Sequence, residues 1–157
     1  MNLLARHPQN GDPLLLPPRD TPYVLHDVLE KTLYGCRDEL ILDLGDCFLR
    51  FGVDNDTDTI TSQFRPRSFR AKRGYQSIQS TKPWKKNVGK ECGWTWLAWN
   101  QQGYLDSVLL SFEGIEPNVL LQTIASSIDV FMVSLVKPTS ASGPTRDGKH
   151  KTTNGKR

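Results

Sequence analysis

Thr21-Pro22-Tyr23-Val24-Leu25-His26-Asp27-Val28-Leu29-Glu30-Lys31-Thr32-Leu33-Tyr34-Gly35 is the stretch whose reading decides the fold class of this chain. Thr21 is a cap residue, and Pro22 suits the first helical position because its missing N–H would find no partner there anyway. Val24, Leu25, Val28, Leu29 and Leu33 then recur at helical spacing, and Gly35 stands where a helix would stop. The pattern predicts an N-terminal helix.

Downstream the period changes to two. Leu40, Leu42 and Leu44 alternate with Ile41 and Asp43, and Gly45-Asp46 marks a turn before Phe48, Phe51 and Val53. Asp54-Asn55-Asp56-Thr57-Asp58 is a second turn cluster, after which residues 59–64 are β-branched enough for a third strand. Residues 65–82 lack apolar periodicity and read as a loop, and a short helical turn fits 84–90. Gly93-Trp94-Thr95-Trp96-Leu97-Ala98-Trp99 carries large apolar groups on both faces, which suits a central strand covered on both sides, with Trp96 in the core and Trp84 peripheral. Asn100-Gln101-Gln102-Gly103 follows as a hairpin loop, with Gly103 at the positive φ, and residues 104–112 return. Leu121, Ile124, Ile128 and Leu135 fit a helix over 119–136, while Val119, Thr123, Val130 and Val133 favour a strand, with Ser126-Ser127 as a bulge. Strand is the reading adopted.

These elements predict an α+β domain, a largely antiparallel sheet of about five or six strands with one N-terminal helix packed on it. Its expected limits are 21–136. Residues 1–20 are proline-punctuated and read as a flexible arm, and 137–157 have no apolar residue large enough to offset ordering entropy and read as a disordered basic tail.

Three cysteines, Cys36, Cys47 and Cys92, form an odd set without C-x-x-C spacing, which argues against a disulfide framework and a zinc site and suits a reducing, cytoplasmic setting. The Leu14-Leu15-Leu16 run ends at Pro17-Pro18, too short for a signal-peptide core, and no segment approaches the roughly 20 apolar residues of a membrane span. Asp54 to Asp58 alternates carboxylates like a calcium loop, but Thr59 and Arg65 stand where that loop needs glycine and glutamate. His7, His26 and His150 are scattered, leaving no metal cluster and no nucleophile–base pair. The glycines are single, leaving no phosphate-binding loop. No cofactor, metal or catalytic set is expected, and the chain reads as a non-enzyme.

Charge is laid out unevenly. Residues 12–58 are predominantly acidic, whereas Arg65 to Lys90 carries only basic groups. The candidate partner-binding residues lie there: Arg65, Arg67, Arg70, Lys72, Arg73, Tyr75, Trp84, Lys85 and Lys86. Arginines and lysines beside rings could hold phosphates and stack bases, and a solvated surface loop has the same composition.

Gly93-Trp94-Thr95-Trp96, then Asn100-Gln101-Gln102-Gly103-Tyr104-Leu105-Asp106-Ser107-Val108 and Ala125-Ser126-Ser127-Ile128, resemble an uncharacterised family of small bacterial proteins, a domain of unknown function, over residues 36–133. The resemblance implies no activity or site. In size and style the chain is also similar to immunity proteins of toxin systems, an analogy at fold level. The expectation is a small binding protein acting on a protein partner through a sheet face or edge and the charged loop. The alternative is a nucleic-acid-associated module using residues 65–90.

Overall fold

The segment read as a helix forms strands. In the computed structural model, which describes residues 16, 20–66 and 74–134, Tyr23–Val24 is β1 and Asp27–Leu33 is β2, and the two belong to different sheets. Leu25 and Val28 are both fully buried although they stand three apart, because the chain crosses between sheets there and the alternation of sides restarts. That phase shift mimics helical spacing. Leu33, taken as the end of the helical stripe, is exposed. Tyr34 and Gly35 have φ of 52° and 85°, and Leu33 pairs directly with Cys36, so Gly35 belongs to a two-residue hairpin turn.

The expected α+β architecture therefore gives way to two antiparallel five-stranded sheets, and the described residues contain no α-helix. The first sheet is a meander of β2, β3 (Cys36–Asp43), β4 (Cys47–Asp54) and β5 (Thr59–Pro66), with the short β6 (Gln76–Ser77) on the far side of β2. The second sheet runs in the order β1, β7 (Glu91–Trp99), β8 (Leu105–Phe112), β9 (Val119–Ile124), β10 (Ser127–Met132). The span 119–136 was read as one strand with a bulge. It is instead a hairpin turned at Ala125-Ser126, both with positive φ.

The sheets pack face to face. Leu40, Leu42, Leu49 and Phe51 from the first meet Val108, Leu110, Val119, Leu121 and Ile128 from the second in one core. Complete burial of a side chain of this size is worth roughly 1.5–3 kcal/mol. Two polar clasps and a ring contact tie the sheets together. Arg37 donates through Nη1 to the Ile128 carbonyl at 2.7 Å while its Nε holds Glu30 at 2.8 Å. Asp58 accepts from both the amide and the hydroxyl of Ser126, at 2.8 and 3.0 Å. Tyr23 of β1 meets Phe64 of β5 edge to face.

The arm and the basic tail expected at the ends fall outside the described residues, apart from residues 16 and 20. Among the described residues no helix is long and apolar enough to cross a membrane.

Candidate functional site

With both inner faces spent on one core, each sheet keeps an outer face, and the two differ in chemistry. On the second sheet, Trp96 pairs with Leu109, Leu109 with Leu120 and Leu120 with Phe131, so one apolar row crosses four strands in register. All four side chains share one side, because their neighbours Leu97, Val108, Leu110, Leu121 and Val130 point into the core. The row is open to solvent: Trp96 is 36% and Phe131 40% exposed, and Trp94 beside them is 59% exposed. Ile124 extends the face along β9.

A bulge sets this orientation. Cys92 pairs with Phe112 and Thr95 with Leu110, so two residues three apart share the inner face and the register shifts between them. Gly93 makes this possible, since a Cβ there would lie 2.8 Å from the Gly114 carbonyl oxygen and 3.0 Å from Ser111 Oγ. The Trp94 amide donates to Ser111 Oγ at 2.6 Å, and that hydroxyl donates to the Gly114 carbonyl at 2.8 Å. Trp94 and Trp96 then turn outward, and Leu97 takes the core position.

The outer face of the first sheet carries a polar, internally paired network beside a fully buried Ile41. Glu39 on β3, nearly buried, accepts from Arg50 Nε of β4 at 2.6 Å and from the Tyr75 hydroxyl, and Lys31 of β2 lies 3.4 Å away. Arg50 also reaches Gln63 of β5, which Arg65 holds at 2.6 Å. The Arg50 guanidinium, with help from Tyr75 and Lys31, brings the Glu39 carboxyl down to about 2 against the opposing effect of burial. Burial and the adjacent Glu39 carboxylate push the Tyr75 phenol up to about 12.

The residues singled out from sequence are therefore dispersed. Arg65 and Tyr75 join this polar network, while Lys85 and Lys86 lie exposed on a 3-10 turn. Trp84, expected at the periphery, is 1% exposed and packs edge-on against Phe112, so no base can stack on it. Trp96, expected in the core, is the outward one of the pair. Arg67, Arg70, Lys72 and Arg73 lie outside the described residues. Among the described residues no group of three His, Cys, Asp or Glu side chains is placed to hold a metal ion. Cys47 and Cys92 are buried and in no disulfide, and burial pushes the Cys92 thiol up to about 12.

A family model matches residues 21–137, the span that carries both sheets and the apolar row. The chain belongs to DUF6334, a family of unknown function. The resemblance to an uncharacterised family is thus borne out. No curated protein and no solved structure matches the chain.

Of the exposed face of this DUF6334 chain, Trp94 and Trp96 stand out in the sequence as a dense aromatic group that reads as core, whereas Leu109, Leu120 and Phe131 carry no sequence signal of a site. For the tryptophans a signal is present: residues 93–99 carry apolar groups on both faces, which by pattern alone predicts cover on both sides. The described structure covers only one.

Proposed function

We propose that this chain is a non-enzymatic binding protein that docks a protein partner on the outer face of its second sheet. The observation that carries this is the in-register row Trp96–Leu109–Leu120–Phe131, solvent-facing and uncharged. Contiguous exposed apolar patches mark interaction sites, and tryptophan is over-represented among the residues that dominate binding energy. A protein suits the face better than nucleic acid. The charged residues of β7 to β10 are Glu91, Asp106 and Asp129, all acidic, so they would repel phosphates, and the described basic groups of the polar network lie on the opposite sheet. Three cysteines without a disulfide, Cys36 exposed and Cys47 and Cys92 buried, fit a cytoplasmic setting.

The test is capture from nuclease-treated native lysate with full-length wild type, Phe131→Glu and Trp96→Glu as baits, each first checked for an unchanged melting curve. A partner retained by wild type and by Arg65→Gln but lost by both face variants is expected. Capture abolished by nuclease, or indifferent to both face variants, would overturn the proposal.

A further inference from the structure

The second sheet also leaves an edge open. β1 pairs only with Cys92 and Glu91, so the side of β7 opposite β8 carries no strand along residues 93–99 among the described residues. An edge strand presents a row of outward N–H and C=O groups, and native proteins usually guard it with lysine, proline, charge or a covering element. Residues 92–99 contain no charged residue and no proline. The other long edges are guarded. β5 ends in Arg65-Pro66, and β10 carries Asp129 and is held by Arg37 from the first sheet, whose amide donates to Ser127 Oγ and whose guanidinium donates to the Ile128 carbonyl. Immediately before β1, Pro22 has no N–H to give to a ladder.

We propose that the free edge of β7 pairs antiparallel with β7 of a second copy, across a two-fold axis perpendicular to the sheet, joining the two second sheets into one. A second copy fits because the strand is neutral. Although the chain carries a net charge of +3, self-pairing here brings no like charges together. The axis preserves sidedness, so Trp94, Trp96 and Ala98 of one copy lie beside the same residues of the other. Two bulges bracket the regular run Thr95–Ala98 and keep the ladder short. Trp94 at 59% and Trp99 at 56% exposure, with Trp96, offer on the order of 300 Å² of aromatic surface per copy. Even with the strand backbone, the pair stays below the roughly 1,200 Å² of stable interfaces, so a weak, micromolar dimer is expected. The pairing draws on Trp94 and Trp96 at the β7 end of the docking face and leaves Leu109, Leu120 and Phe131 free. It would place the two apolar rows end to end.

Sedimentation velocity on the full chain from about 1 to 200 µM, a range set around that micromolar expectation, tests the proposal. Wild type should shift from monomer to dimer. Ala98→Glu, which would put a buried carboxylate beside a tryptophan of the other copy, should weaken association at least about tenfold. Phe131→Glu, three strands from the edge, should leave the dimer constant within about threefold. Hydrogen exchange of wild type gives a second readout, with amides in residues 93–99 gaining protection as concentration rises. A wild type that stays monomeric with those amides unprotected overturns the proposal, as does a dimer that Phe131→Glu dissociates as fully as Ala98→Glu. Failure of the docking reading would appear separately, as lysate capture indifferent to Phe131→Glu.

Discussion

The two outer faces rest on the same core and the same strand geometry, yet one is closed chemically and the other is not. On the first sheet, Glu39, Arg50, Tyr75, Gln63 and Lys31 satisfy one another across four strands and the residue before β6. On the second, Trp96, Leu109, Leu120 and Phe131 are neighbours in register with nothing described above them. A polar face can complete itself, because each donor finds an acceptor within the same sheet. An apolar face gains only when another surface removes it from water. The difference separates a face that stabilises the fold from one left for a partner.

The core beneath both faces sets the largest effect. Trp84→Ala should destabilise by about 3–5 kcal/mol, because a fully buried indole packed on Phe112 leaves a cavity. Chemical denaturation measures it. A loss below about 1 kcal/mol would place Trp84 at the surface and undo the division into one core and two faces.

The polar face comes next. Glu39→Ala should cost about 2–3 kcal/mol, since it leaves Arg50 and the Tyr75 hydroxyl without their acceptor. The Glu39 carboxyl is held at about 2 against an ordinary 4.5, so its contribution is complete above roughly pH 5 and is lost as pH falls toward 2. After allowance for partial solvent screening this amounts to about 2 kcal/mol. Tyr75 acts in the opposite direction: its phenol lies at about 12 against 10, so its contribution is complete below pH 10 and is lost as pH rises toward 12. Glu39→Gln should flatten the acid limb of a stability–pH curve. An acid limb unchanged in that variant would show that the network does not hold in solution.

The smallest effect belongs to the apolar face. Trp96→Ser should change stability by less than about 1 kcal/mol, because its ring is already partly in water, and should raise solubility while abolishing partner capture. A loss of several kcal/mol would mean that the face is covered within the chain. The contrast between the two faces would then collapse.

Local chemistry made part of this legible. Asp54 to Asp58 turned the chain as its composition required, Gly103 took the positive φ expected of it (86°), and the alternation of Leu40, Leu42 and Leu44 with Ile41 and Asp43 marked a true strand. The helix over 21–35 failed because Leu25 and Val28 owe their spacing to a change of sheet. No pattern confined to that segment distinguishes such a crossing from a helical turn.

By itself the sequence determined the turns, most of the strands, the cysteine chemistry and the charge layout, all of which depend on neighbours within a few residues. Only the tertiary structure decided that Trp84 is core and Trp96 surface, because a bulge at Gly93 reverses the parity of β7 and the ring that seals the sandwich comes from a turn outside it. It also decided that Arg65 and Tyr75 serve an internal polar network while the apolar row faces outward. Which side of a strand is covered depends on what packs against it, and that partner lies far away in sequence.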